Sequence, residues 1–539
     1  MKIFGNPATS GTYRVATNGT EIEYRIYTIA RGIKITGTIR GNAGRVEVVR
    51  FPAPADYLVN NWQSWGPIEW LRHGSRVQGI DYAVEKGNIP LFSPLPDLFP
   101  KKTLSDYFLC GTDFLAAFLT SRVAHPFFTV EGDEIVGYLD YFGTTLEQPV
   151  ALEPFVFLRG GSTDELLPLY GSLVAADTPP RRPSINPVGW CSWYHYFSRV
   201  TWDDIAKNLN AARGVYPFQL FQIDDGYEAD IGDWLDPKEG WPPLSEMARA
   251  IQSHGFLPGI WTSPFMVAET SRIFHEHPDW VVRRDGALVP AFTGWGKETY
   301  PLDTTHPEAL EWLRGIFTAL REAGFRYFKI DFLYAAAMPG ERHRRVTPIV
   351  AYRQGLRAIR ESVGNDFVLG CGAPLLPSVG YVDGMRVGED TAPFWDSTLS
   401  PFHGPNAYHA LKNPLRRQFM HRNFWLNDPD CLILRSREVR LSANEREAYA
   451  MVAGALDAMI IQSDNLALVD EAGKRALREA LHLRGGTATV DNPGRGDLFL
   501  VTSAGGPSGE RRFAVNLADD PATVDGAVIP GRSARPLPR

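Results

Sequence analysis

Cysteine is scarce in this chain: four residues in 539, Cys110, Cys191, Cys371 and Cys431, each standing alone and none in a CxxC pair. That spacing excludes a disulfide framework and fits reduced thiols in a cytoplasmic protein. No run of 18 apolar residues occurs, so no membrane span is expected. The opening Met1-Lys2-Ile3-Phe4-Gly5-Asn6-Pro7 lacks the apolar stretch of a signal peptide. Cations are not in excess either: 55 Lys and Arg against 62 Asp and Glu give a net charge of −7. A nucleic-acid or anionic-membrane partner would need the opposite balance. There is no internal repeat, no low-complexity tract and no phosphate-binding loop of the P-loop type, and no cofactor or metal is expected.

What the chain does have is tryptophan, 14 residues of it, several beside Gly, Asp or Pro. Indole faces pack against the C–H faces of sugars, which invites a carbohydrate reading; core filling is the plain alternative.

The length calls for more than one core. In the first 160 residues or so, Glu21 to Tyr27, Ile33 to Ile39, Arg45 to Val48 and Asp133 to Leu139 alternate polar and apolar side chains, broken by Asn18-Gly19 and Gly41-Asn42. Period 2 predicts antiparallel strands with one wet face, assembled as a β-sandwich over 1–178. A helix is expected from Ser162, with Glu165 completing a capping box. Three prolines, Pro179, Pro180 and Pro183, then mark a boundary.

From Pro187 strand and helix patterns alternate. The strand candidates are Val188 to Trp193, Phe218 to Asp224, Leu257 to Thr262, Tyr327 to Phe332, Phe367 to Cys371, Val382 to Val387, Phe424 to Leu426 and Ala458 to Ser463. Helical periods fall between most of them, as at Trp202 to Arg213, Pro307 to Ala323 and Ile349 to Val363; Pro401 to Asn413 carries turn residues instead. Eight βα repeats predict a (β/α)₈ TIM barrel over 179–484. After a helix at Glu471 to Leu483, short strands at Thr487 to Val490, Leu498 to Val501 and Arg512 to Leu517 suggest a small C-terminal β-sandwich over 485–539. The predicted fold is therefore multidomain.

Active sites of such barrels lie at the C-terminal strand ends. Carboxylates collect there: Asp224-Asp225-Gly226 after the second strand, Asp331 at the end of the fourth, Asp390 beyond the sixth, and Asn427-Asp428-Pro429-Asp430 after the seventh. Strand parity sends Lys329 and Asp331 into the barrel and Phe328 and Ile330 toward the helices. A lysine beside a buried aspartate keeps it ionised, as a nucleophile requires; a structural ion pair in the barrel floor is the alternative. Glycoside hydrolysis needs two carboxyls about one anomeric carbon. Asp390, between Glu389 and Thr391-Ala392-Pro393 and partly away from cations, suits the acid, although a helix or turn cap would read the same way. Asp224 and Asp225 as metal ligands are disfavoured because no HxH or HExxH lies near them. His275-Glu276-His277 reads as an exposed helix end before Pro278. A Schiff-base role for Lys329 is opposed by Asp331 on its own face.

Four segments carry a family resemblance: Gly189-Trp190-Cys191-Ser192-Trp193-Tyr194, Gln222-Ile223-Asp224-Asp225-Gly226-Tyr227, Phe328-Lys329-Ile330-Asp331-Phe332, and Met385 through Trp395. Together they resemble glycoside hydrolase family 36, and in particular its short, thermophile-type bacterial α-galactosidases. The resemblance covers nearly the whole chain and implies a retaining exo-α-galactosidase with Asp331 as nucleophile and Asp390 as acid/base. It places Asp224 and Asp225 on the galactose O4 and O6 hydroxyls, and Lys329, Cys371 and Arg386 around O2, O3 and the nucleophile. Trp190 and Trp261 would wall the sugar, and Trp65 would reach over the barrel mouth from the N-terminal domain. Tyr227 and Ala373-Pro374 depart from the pattern of larger relatives, which bears on the aglycone side. The implied partner is a small α-galactoside, and the short chain suggests a monomer or small homo-oligomer. An α-N-acetylgalactosaminidase, a galactosyl-transferring relative and a silent sugar-binding protein are the competing readings.

Overall fold

The computed structural model of the chain describes residues 1–17, 19–396, 404–507 and 509–538. Its N-terminal region is a 13-stranded antiparallel sheet that folds over one apolar core containing Ile22, Tyr24, Ile26 and Ile35. Strand Thr20–Ile29 shows the expected alternation, its even-numbered residues from Thr20 to Ile26 buried and the odd ones exposed. The Gly41-Asn42 break is not a turn. One strand runs unbroken from Gly32 to Pro52, pairing with Thr20–Ile29 and with Glu134–Ala151, whose register shifts by bulges along it. Gly41 lies at φ +104° with Gly19 O against its missing Cβ, so the glycine bends the strand without ending it. The Asn18 half of the earlier turn lies outside the described residues.

The central region holds eight parallel strands, all close to where the sequence pattern puts them. In order they are Val188–Cys191, Leu220–Ile223, Leu257–Thr262, Tyr327–Ile330, Phe367–Gly370, Gly384–Arg386, Leu426–Asp428 and Ile460–Gln462. The first strand pairs with the eighth, and the seventh reaches the eighth through Met459 N–H to Asn427 O at 3.0 Å and Leu432 N–H to Ile461 O at 2.6 Å, which closes the barrel. Helices Trp202–Ala212, Pro307–Ala323 and Pro348–Val363 lie between strands as expected, the first opened by a Thr201/Asp204 capping box. Helix Thr163–Asp177 starts after Ser162, but Ser162 makes no side-chain cap and Glu165 turns instead to Arg31 at 3.5 Å, so the expected capping box is absent. Within the stretch read as turn residues, Asn406 caps a helix, Ala407–Arg416, by accepting from His409 N at 2.7 Å; the stretch's beginning at Pro401 lies outside the described residues. A four-stranded sheet and a hairpin make up the C-terminal region. Among the described residues no helix is long and apolar enough to cross a membrane.

One continuous core joins Leu58, Trp62 and Phe108 of the first region to the barrel and on to Phe499 and Val501 of the last. The N-terminal segment 61–67 docks on the exit of the fifth barrel strand. Ser64 N donates to Ala373 O at 2.9 Å, and Leu375 N donates to Trp62 O at 2.9 Å. Arg417, fully buried, fastens the junction from the barrel side: it donates to Asn60 Oδ1 at 2.9 Å, Ser64 O at 2.8 Å and Val387 O at 3.0 Å. No carboxylate pairs with it among the described residues, and burial pushes its guanidinium down to about 9. Arg417→Leu leaves three buried acceptors without a donor. The expected result is a loss of about 3 kcal/mol in urea unfolding, with the N-terminal region released first under limited proteolysis.

Candidate active site

At the fourth strand the parity reading holds. Phe328 packs on Phe317 of the preceding helix Pro307–Ala323, with ring centroids 5.9 Å apart, while Lys329 and Asp331 reach into the barrel. Asp331 is anchored at both oxygens: Trp261 Nε1 donates to Oδ2 at 3.0 Å and Phe332 N donates to Oδ1 at 2.8 Å. Phe332 itself sits at φ +51°, a left-handed conformation that a bulky residue rarely adopts. The strained turn aims the backbone N–H of Phe332 at the carboxylate.

Lys329 favours a different partner from the one its sequence neighbour suggests. Its Nζ lies 2.9 Å from Asp224 Oδ2 and 4.0 Å from Asp331 Oδ2, bridging the second and fourth strands. Burial alone would push the ammonium down, but the carboxylates of Asp224 and Asp331 outweigh it and hold the group charged. Asp224 Oδ2 also accepts from the Cys191 thiol at 3.3 Å, and the Asp224 N–H donates to Ser192 Oγ at 2.9 Å. Asp225 accepts from Trp295 Nε1 at 2.8 Å.

Asp390 is not set apart from cations. Four residues earlier, the buried Arg386 turns its guanidinium onto the Asp390 carboxylate with one amino group and onto Asp430 with the other. Asp430 also takes the Tyr194 hydroxyl and Thr391 N–H, the latter at 2.8 Å. Withdrawal from water pushes the Asp390 carboxyl up; Arg386 opposes this, and the negative charges of Asp430 and Asp331 reinforce it. Beneath them Asp428 is also pushed up, by burial and by Asp430.

These groups open on one cavity of about 570 Å³. Asp224, Asp225, Lys329, Asp331 and Asp390 line it together with Trp65, Trp261 and Trp295. Trp65 comes from the docked N-terminal segment, where its Nε1 donates to Cys371 Sγ at 3.2 Å. Its ring rests on Gly372, where φ is +53° and an added Cβ would come within 2.9 Å of the indole. Cys371 and Arg386 stand behind this wall, fully buried.

Trp190 is misplaced by the resemblance. The structure puts it outside the cavity, stacked on Phe221 at 4.2 Å with Nε1 donating to Asp464 O at 2.8 Å. Parity explains the error: Cys191 faces into the barrel, so its neighbour faces out. Trp295, Phe292 and Phe332 on the cavity wall went unread in the sequence. The Gly294-Trp295-Gly296 triplet was the available signal, a tryptophan on a hinge of glycines in the long connection after the third strand. Among the described residues no three His, Cys, Asp or Glu side chains converge as a metal site. His275 is exposed near the end of helix Arg272–Glu276, and His277 stacks on Trp280 at 3.8 Å.

Two family models match the chain, "Alpha-galactosidase, N-terminal" over residues 25–159 and "Melibiase" over residues 180–363, together more than half of its length. The chain belongs to glycoside hydrolase family 36. It is similar to the α-galactosidase of Thermus thermophilus, solved in complex with p-nitrophenyl α-D-galactopyranoside, at 27% identity and a TM-score of 0.72, covering 91% of this chain and 98% of that one. The family 36 α-galactosidase AgaA of Geobacillus stearothermophilus shares the fold at 13% identity and a TM-score of 0.65, covering 96% of this chain and 79% of that one. Among curated sequences, an α-galactosidase of Escherichia coli is 31% identical over 132 residues, which are 21% of this chain and 18% of that protein. The curated relatives it matches first are spanned over no more than 25% of their own length.

The lysine bridge has a measurable consequence. Lys329→Met strands the buried Asp224 carboxylate, and the expected loss at pH 7 is about 3 kcal/mol in urea unfolding. An unpaired buried carboxyl has a folded pKa above its unfolded one. The deficit is therefore full above the variant's raised carboxyl pKa, fades as the pH falls from there, and is lost by about 4, the unfolded value. A deficit equal at pH 7 and pH 4 contradicts the role of Asp224 as the lysine's main partner.

Proposed function

We propose that this family 36 member is a retaining exo-α-galactosidase, with Asp331 as nucleophile and Asp390 as general acid and base. The observation that carries the reading is that two carboxyls in contrasting environments open on one cavity whose wall also presents the Asp224–Asp225 pair. Asp331, 4.0 Å from the Lys329 ammonium and fixed by two N–H donors, is held in one orientation, as a nucleophile requires. Asp390, pushed up by burial yet touching Arg386, is built to change state: it starts as an acid, and Arg386 stabilises the carboxylate left once the proton has gone to the leaving oxygen.

The chemistry then runs in two displacements. Asp331 attacks the anomeric carbon while Asp390 protonates the glycosidic oxygen, giving a β-linked galactosyl ester on Asp331. Asp390, now a carboxylate, takes a proton from water, which attacks the same carbon and releases α-galactose. Asp224 and Asp225, with lone pairs left over after their protein partners, accept from the O4 and O6 hydroxyls. Indole and phenyl faces from Trp65, Trp261, Trp295 and Phe332 pack the sugar's C–H faces. A sugar lacking a hydroxyl in the expected place leaves a buried carboxylate unpaired, which is the physical root of specificity here. The Thermus relative, matched over 98% of its length, was crystallised with p-nitrophenyl α-galactopyranoside and with stachyose, and supports small α-galactosides as the substrate class.

The protein is expected to hydrolyse p-nitrophenyl α-galactoside in preference to the α-N-acetylgalactosaminide, with α-galactose as the first product by NMR. Asp331→Gly should cut turnover by roughly three orders of magnitude or more. Azide should restore part of it and yield β-galactosyl azide; an α-azide product removes Asp331 from the nucleophile's role.

Asp390→Gly should slow raffinose or melibiose far more than activated aryl galactosides, because only poor leaving groups need the proton. Equal losses on both substrate types reassign the acid.

A further inference from the structure

Glu228 enters neither displacement, yet it lies three residues beyond Asp225, buried to 7% exposure, against the substrate-facing wall. Both neighbouring backbone N–H groups go to a single oxygen of it: Gly226 N donates to Oε2 at 3.2 Å and Tyr227 N at 3.1 Å. Its carboxyl is also hydrogen-bonded directly to that of Asp225. A hydrogen bond between two carboxyls requires a proton, and two buried carboxylates in contact cannot both ionise. No cation forms an ion pair with Glu228 among the described residues. Lys238, on the segment crossing Tyr227, donates its ammonium to Ser198 O at 3.1 Å, and Lys329 is taken by Asp224. Of the other titratable groups that face the pair, Asp224 and the Tyr227 phenol supply no positive charge, and the Lys238 ammonium draws down the Asp225 carboxyl and not that of Glu228.

The arrangement is that of a neutral acid, whose carbonyl oxygen accepts both backbone N–H groups while its hydroxyl donates. Asp225 offers the better home for the charge, because Trp295 Nε1 donates to it from the opposite side at 2.8 Å. We propose that Glu228 is a buried, protonated positioning residue that holds the Asp225 carboxylate in its sugar-binding orientation, so that substrate affinity depends on the Glu228 proton. The inference rests on the reading that Asp225 contacts the sugar. Burial, reinforced by the charge of Asp225, pushes the Glu228 carboxyl well above its ordinary value, consistent with a proton retained at neutral pH. Removing that proton at alkaline pH sets two anions against each other and turns Asp225 away, so KM rises while kcat changes less.

The test is the pH dependence of KM and kcat for p-nitrophenyl α-galactoside in the full-length protein and three variants, with infrared spectra of the unliganded forms. Glutamine reproduces the neutral acid, its amide oxygen accepting the two N–H groups and its NH₂ donating to Asp225. Glu228→Gln is expected to keep a low KM, abolish its alkaline rise and, in the wild-type-minus-variant infrared difference spectrum, in which the unchanged Asp390 absorption cancels, leave the band of one protonated carboxyl. Glu228→Ala is expected to raise KM by about tenfold across the pH range, the loss of one buried hydrogen bond to a charged group. Should the alanine variant fail to fold, the glutamine variant and the infrared band decide alone. Absence of that difference band, or a glutamine variant with the raised KM of the alanine one, overturns the proposal. Asp225→Asn tests the underlying reading separately: an unchanged KM in that variant, with the Glu228 band present, sinks the sugar contact of Asp225 and not the shared proton.

Discussion

The barrel mouth gathers the buried Asp224, Asp225, Asp331, Asp428 and Asp430 with the part-exposed Asp390, and among the described residues the cations that form ion pairs with them are Lys329 and Arg386. Such a cluster would repel itself apart if every carboxyl stood alone. Each cation instead divides its charge between two acids on different strands or turns: Lys329 between Asp224 and Asp331, Arg386 between Asp430 and Asp390. What charge remains is absorbed by N–H donors from Trp261, Trp295 and the backbone, and by protons. The distribution of protons over this mouth is therefore part of its architecture, since neutrality and geometry are set together.

Packing around that electrostatic centre serves to keep it dry and fixed. The indoles of Trp261 and Trp295 each have an apolar face toward the cavity and an N–H toward an aspartate, so one side chain excludes water and orients a carboxylate at once. The segment carrying Trp65 adds a wall that the barrel does not supply from its own loops, and Arg417 secures that segment through neutral acceptors, keeping it out of the competition for carboxylates.

Much of this was legible in the sequence because the signals were periodic. All eight barrel strands and the long helices follow from runs of apolar residues, and period 2 put Lys329 and Asp331 on one inner face. The same rule, applied to Val188 through Cys191, turns Trp190 outward, and the structure places it there; resemblance overrode parity at that position. Interactions that cross between elements left no local trace. Lys329 bonds most closely to Asp224, 105 residues away, and Asp390 meets Arg386 only because the chain turns back after the sixth strand. Trp295 and Glu228 lie in irregular segments, where a side chain's direction is set by loop geometry and not by spacing. The long strand Gly32–Pro52 reads as two in the sequence because a glycine that bends a strand and one that ends it look alike.

Trp65 resting on Gly372 also bears on how such a chain can change over generations. Two demands fall on position 372, one from its own backbone angle and one from an indole supplied by a different domain, and hydrogen is the side chain that meets both. A side chain there meets the turn and the indole at once, so relaxing the local turn alone does not make room for it. The two positions therefore constrain each other across the seam between the N-terminal segment and the barrel.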